Sequence, residues 1–238
     1  MLDDNENFSY ISKNIKTVME KVEKAAQKSG RRVEDITVIA VSKTVEVERI
    51  RVALEEGFVD LGENKVQELM EKYDALGENC QWHLIGHLQT NKVKYIIDKV
   101  RMIHSVDSIE LAEEIQKRAL KVNRTIDILI QVNVSGEESK FGISPGEVEA
   151  FIRKLSTFDH IKVKGLMTIA PYAENQEDIR GVFKQLKKIF IDINAENIDN
   201  INMEFLSMGM SNDFEVAIEE GANIVRIGTL IFGKRYYL

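Results

Sequence analysis

The chain has 238 residues, 44% hydrophobic and 30% charged, with 32 Lys and Arg against 39 Asp and Glu and a formal net charge of −7. That apolar content supports a full core and rules out a disordered chain, and no apolar run approaches the ~20 residues of a membrane span. The acidic balance argues against a nucleic-acid partner, the start MLDDNENFSY lacks a secretory layout, and the lone Cys80 excludes an internal disulfide framework, so a soluble cytosolic protein is expected.

In chain order, an amphipathic helix is predicted over 8–28, where Ile11, Ile15, Val18, Val22 and Ala25 recur at helical spacing. Eight short, mostly apolar runs follow. They are ITVIAVS (36–42), FVDLG (58–62), QWHLIG (81–86), RMIHSV (101–106), IDILIQVNV (126–134), VKGLMTI (163–169), MEFLSMG (203–209) and NIVRIGTLIF (223–232). Between them lie stretches such as VEVERIRVALEEG, NKVQELMEKYDALG and SIELAEEIQKRALKV, with apolar residues at three- and four-residue intervals. Ser144-Pro145-Gly146-Glu147 carries the cap, first-turn proline and acid of a helix start, and Asp107 with Glu110 repeats the pattern. A long helix is predicted over 175–192.

Apolar strands joined by helical crossovers predict an α/β fold with a parallel sheet covered by helices. Eight such units in about 200 residues match a (β/α)8 TIM barrel with an extra N-terminal helix. Strand count alone leaves an open doubly wound sheet as the rival. No linker-like composition divides the chain, which predicts a single domain over 1–238.

Functional groups of a barrel collect at the carboxyl ends of its strands. Lys43 stands just past the first run. At a barrel mouth, partial desolvation would lower its pKa and free the amine for a Schiff base; the alternative is a solvated lysine beyond a strand end. Gly209 and Ser211, followed by Asn212-Asp213 opening a helical stretch, have the makings of an anion cradle. Arg226-Ile227-Gly228-Thr229 adds a cation, a glycine and a hydroxyl at the last strand, and barrels commonly bind phosphate after strands seven and eight. Two ordinary glycine turns would look the same. His83 and His87 lack an accompanying acid motif, so no metal is expected. Lys140, in a loop after the fifth run, is either a solvated lysine or one able to reach the mouth.

An ordered set of motifs spans nearly the whole chain. It comprises A-V-S-K-T (40–44), G-E-N (62–64) with V-Q-E (66–68), W-H-L-I-G-H-L-Q-T-N-K (82–92) and V-N-V (132–134). It continues with S-K-F-G (139–142), G-L-M-T-I (165–169), L-S-M-G-M-S-N-D-F (206–214) and R-I-G-T-L-I-F-G (226–233). Together they resemble the pyridoxal 5′-phosphate (PLP) homeostasis proteins, single-domain barrels related to the N-terminal domain of alanine racemase. The resemblance implies that Lys43 carries PLP as a Schiff base, that Ser211, Gly228 and Thr229 hold the phosphate, and that Arg226 faces the pyridine nitrogen. It implies that Asn64 lies beside the cofactor, with His83 and Met167 lining the same mouth, and that Lys140 is a secondary PLP lysine. Some members carry a further lysine two residues after the Schiff-base lysine; here that position is Val45.

An arginine opposite the pyridine nitrogen would disfavour its protonation, because adjacent positive charges repel, and would weaken carbanion chemistry. The resemblance therefore implies a monomeric PLP carrier in vitamin B6 homeostasis with little turnover, PLP-dependent apoenzymes being its recipients. The alternative is an amino-acid racemase. That chemistry needs a base on each face of the substrate, and the separate C-terminal domain that supplies the opposing tyrosine in two-domain racemases is expected to be lacking after Tyr236-Tyr237-Leu238. Tyr172 is the one substitute considered. Binding of another phosphorylated metabolite without a covalent link is a third possibility.

Overall fold

The computed structural model describes residues 8–137 and 139–233, so Tyr236-Tyr237-Leu238 lie outside the described residues. A helix, α1 (Ser9–Lys28), precedes eight strands: β1 (Thr37–Val41), β2 (Asp60–Glu63), β3 (Gln81–Leu84), β4 (Val100–Val106), β5 (Ile126–Gln131), β6 (Ile161–Met167), β7 (Ile201–Met210) and β8 (Ile224–Ile227). All neighbouring pairs are parallel, and β8 returns to β1 to close the barrel in chain order. Closure removes both sheet edges and excludes the open doubly wound alternative.

The crossovers are α2 (Val47–Glu55), α3 (Val66–Leu76), α4 (Ile109–Lys121), α5 (Val148–Leu155), α6 (Arg180–Ala195) and α7 (Phe214–Glu219), and α8 (Thr229–Phe232) follows the last strand. Between β3 and β4 the connection is a 3₁₀ turn, Thr90–Tyr95. The large apolar cluster lies between strands and helices, where Trp82, Phe183 and Phe214 are fully buried. A smaller one, Ile39, Met102, Leu129, Met167 and Ile224, belongs to the barrel interior. Helix α1 buries Ile11, Ile15, Val18, Val22 and Ala25, the predicted stripe, and packs on α7 and α8. Each buried Ile or Val of that stripe contributes about 1.5–3 kcal/mol.

Several boundaries differ from the sequence expectation: the helix expected over 175–192 runs from Arg180 to Ala195 behind a 3₁₀ turn (Gln176–Ile179), and the fifth strand ends at Gln131 instead of 134. The last apolar run does not continue as one strand: it breaks at Gly228 and turns into α8, which puts that break at the barrel mouth. Helix α4 is capped by Ser108 and not Asp107; the Ser108 hydroxyl accepts from the Leu111 amide at 3.2 Å. Both residue types cap helices, and the extended backbone at Ser108 selects it. The capping box at Ser144 and Glu147 forms as expected.

Candidate functional site

The carboxyl ends of the strands open onto a cavity of about 590 Å3. Lys43, Asn64, Ser211, Arg226, Gly228 and Thr229 all line it. Register explains the grouping: Ile39 pairs with Arg226 and Ala40 with Ile227, so the chain leaves β1 and β8 side by side. A residue just past Val41 therefore meets residues just past Ile227.

Lys43 is half-buried, and the backbone on either side of it is clamped. The buried Lys72 ammonium of α3 donates to the Ser42 carbonyl at 2.6 Å and to Glu63 Oε1 and Glu68 Oε1, both at 2.7 Å. Ser42 Oγ donates to Glu63 Oε1 at 2.6 Å, and the Thr44 amide donates to Glu68 Oε1. Thr44 takes a left-handed φ of 60°, which tethers of this kind must hold in place. Burial pushes the Glu63 carboxyl up, while Lys72 and Ser42 pull it down. Its second oxygen, Oε2, is buried without a partner. Sequence reading missed Glu63, Glu68 and Lys72 as a group, because a lysine inside an amphipathic helix reads as a solvated one.

Across the mouth, the turn after β7 needs Gly209. Its φ is +93°, and an added Cβ would stand 2.6 Å from Ala217 Cβ and 2.9 Å from Phe214 Cα. Asp213 Oδ1 accepts from the Met210 amide and closes that turn. Ser211 Oγ is thereby brought to the Gly228 amide, which donates to it at 3.3 Å. The result is a hydroxyl, backbone N–H groups and the exposed Thr229 at the start of α8, a donor set suited to a phosphate.

Arg226 is buried and completes the floor. Its NH1 donates to Ser207 Oγ at 2.6 Å and its NH2 to the Thr168 carbonyl at 2.9 Å. Burial lowers its pKa to about 10 against the pull of Asp213, so the guanidinium stays charged at neutral pH.

His83 and Met167 do not line the cavity, which corrects the sequence expectation. Met167 is fully buried among Ile39, Met102, Leu129 and Ile224. His83 faces the barrel interior, tied to His104 and Asp60. Strand alternation sends these side chains inward, below the mouth. Lys140 lines a neighbouring pocket of about 150 Å3 with Asn133, Ser139 and Phe141, and its ammonium holds Glu137 at 2.7 Å. That pocket shares Gln131, Phe141 and Ile169 with the main cavity.

The rim is aromatic, and of its members only Tyr172 was singled out in the sequence as a candidate base. His87 stacks on Phe141 with ring centroids 3.9 Å apart and planes 12° from parallel. Gln131 Nε2 donates to the Phe141 carbonyl at 3.1 Å, and Tyr172 stands 81% exposed at the edge.

A family model described as "Alanine racemase, N-terminal domain" matches residues 11–236. A curated pyridoxal phosphate homeostasis protein of Aquifex aeolicus is 49% identical over 221 residues, covering 92% of this chain and 96% of the relative. The chain belongs to the pyridoxal phosphate homeostasis protein family. A relative of the same description from Pseudomonas aeruginosa is 35% identical over 231 residues, 97% of this chain and 98% of its own. Among solved structures, PipY of Synechococcus elongatus with PLP bound superposes with a TM-score of 0.77 at 33% identity, covering 84% of this chain and 93% of PipY. Alanine racemase of Clostridium difficile, at 16% identity and a TM-score of 0.74, shares the barrel fold over 94% of this chain and 58% of its own length.

Proposed function

We propose that this protein holds PLP at the β1–β8 seam of the barrel, covalently through Lys43, and serves intracellular PLP homeostasis as a carrier with little or no turnover. The observation that carries this reading is convergence. One amine, one buried guanidinium and a hydroxyl-and-amide cradle meet in a single cavity of about 590 Å3, within the size range of small-molecule sites. The donor set fits the group: Ser211, Gly228 and Thr229 take the phosphate, Arg226 faces the pyridine nitrogen, Asn64 borders the ring, and Lys43 Nζ reaches the aldehyde. Lys43 would hold the cofactor through its Nζ, whose amine form would condense with the aldehyde with loss of one water. When bound, the cofactor supplies an electron-withdrawing ring, and the charged Arg226 limits that capacity by opposing protonation of the ring nitrogen. PLP binding by PipY, a relative at 33% identity, supports the same ligand here.

The lining also supports the carrier over a racemase. Among the described residues, Lys43 and Arg226 are the only lysine and arginine on the cavity wall, and both are committed to the cofactor. That leaves neither to grip an amino-acid carboxylate. Tyr172 is too exposed to act as a positioned base. The reading includes a single domain, a cytosolic monomer, Lys140 as a secondary lysine beside the mouth, and PLP-dependent apoenzymes as recipients.

Borohydride reduction of PLP-saturated protein, followed by peptide mass mapping, is the test. The expected result is a pyridoxyl adduct on Lys43, lost in Lys43→Ala. Saturated protein without that adduct overturns the covalent reading, and amino-acid inversion at ~1 per second or faster overturns the carrier reading.

A further inference from the structure

Four polar side chains inside the barrel are not accounted for by the cradle. Arg226 donates to Ser207 Oγ at 2.6 Å, and Ser207 Oγ lies 3.0 Å from His104 Nδ1. His104 Nε2 lies 2.9 Å from His83 Nδ1, and His83 Nε2 lies 2.9 Å from Asp60 Oδ1. The five residues sit on β8, β7, β4, β3 and β2. Strands β4 and β7 are not neighbours in the sheet, so the His104–Ser207 contact crosses the barrel lumen. Ser207 and His104 are 0% exposed, His83 2% and Arg226 4%. The polar string shares the interior with the small apolar cluster of Ile39, Met102, Leu129, Met167 and Ile224, where such barrels are ordinarily filled by apolar layers alone.

We propose that Asp60, His83, His104 and Ser207 are positioning residues for Arg226, joined in one hydrogen-bond chain of fixed direction. Chemistry at the two ends sets that direction. A guanidinium only donates, so Ser207 accepts from Arg226 and passes its own hydroxyl proton to His104 Nδ1. His104 then carries its proton on Nε2 and donates to His83 Nδ1. His83 in turn carries its proton on Nε2 and donates to the Asp60 carboxylate, which only accepts. Every group in this arrangement is satisfied, as buried polar groups must be. The reverse direction would require a charged His83, and would leave the Ser207 proton without an acceptor. Burial, together with His83 and Arg226, holds His104 well below the usual histidine range and keeps it neutral within the chain.

The consequence concerns the cofactor and rests on the reading that Arg226 faces the pyridine ring. With NH1 held by Ser207 and NH2 by the Thr168 carbonyl, the guanidinium cannot rotate, and a fixed edge is turned toward the cavity. The chain therefore sets the orientation of the group opposing ring protonation. It anchors that group to an acid at the opposite end of the barrel, where Arg101 lies 4.0 Å from Asp60.

Nitrogen-15 spectra of the histidine rings in the full-length protein without PLP, in mildly alkaline buffer, read the direction. Both His83 and His104 are expected in the Nε2–H form, and an Nδ1–H proton on His104 overturns the chain. Ser207→Ala removes one oxygen and cuts the link. His104, still held by His83 and Asp60, should keep its Nε2–H form while its Nδ1 resonance shifts on losing the Ser207 donor, and the PLP dissociation constant should rise about tenfold, with the borohydride adduct still on Lys43. An unshifted His104 Nδ1 resonance, or unchanged PLP affinity, in Ser207→Ala overturns the positioning role. If the unaltered protein takes up no PLP at all, the functional reading falls, while the tautomers still decide the chain.

Discussion

Lys72 does more at this site than its place in a helix suggests. It holds the carbonyl before Lys43 and two carboxylates, one of which takes the amide after Lys43. Removing one partner of a buried ion pair costs about 3–5 kcal/mol, because the other is left charged and dry. Lys72→Met should therefore lower unfolding free energy by about 3 kcal/mol in urea titrations, and Glu63→Gln in the same chain should restore part of it. Since burial raises the Glu63 pKa above its unfolded value, the loss in Lys72→Met should shrink as pH falls and Glu63 takes up a proton. A loss independent of pH and of Glu63 would show that the clamp is not the cause. Lys43 itself was legible in the sequence from a lysine one residue past an apolar run. Its clamp was not, because Glu63 and Lys72 become partners only once β2 and α3 are folded.

Among the elements, α6 and α7 are tied by Arg180. Its guanidinium reaches Glu177 at 2.6 Å, Glu219 at 2.8 Å and Glu220 at 2.6 Å. Hydrogen bonds from Arg180 hold Glu177 and Glu219 below the usual carboxylate range. A depressed acid contributes stability above its unfolded pKa and loses it as pH falls through the folded one. Arg180→Ala should thus melt about 2–4 °C lower at neutral pH, with the gap closing below pH ~4. A gap that persists in acid would assign the effect to packing. The elements were the most readable level of the sequence: eight apolar runs and the helical spacing between them carry the barrel. Ends were less so. Gly228 broke the last run into strand and helix, and Ser108 took the cap expected at Asp107, because backbone geometry selects between residues of similar propensity.

For the whole molecule, the polar string from Asp60 to Arg226 shows what a linear reading loses. Its members are 23, 21, 103 and 19 residues apart, and no local pattern links such separations. His83 was accordingly expected at the mouth, although alternation along β3 turns it into the lumen. The cradle, by contrast, could be read from two glycine-containing segments at consecutive strand ends. Held as proposed, between Lys43 after β1 and the cradle after β8, PLP should stabilise the whole barrel. PLP at a hundred times its dissociation constant should add about 2.7 kcal/mol, and a thermal scan showing no rise with PLP would contradict a site at the seam.

That seam orders events in time. The strand leading into Lys43 is made first and the strand bearing Arg226 last of the eight, while Asn14 of α1 donates to the Ile231 carbonyl, just past that last strand, at 3.0 Å. A chain still emerging from the ribosome has its lysine but not the opposite wall. At the proposed site such a chain would meet a free aldehyde before it has the wall to hold one, so capacity for the cofactor would arrive all at once, when the eighth strand docks against the first.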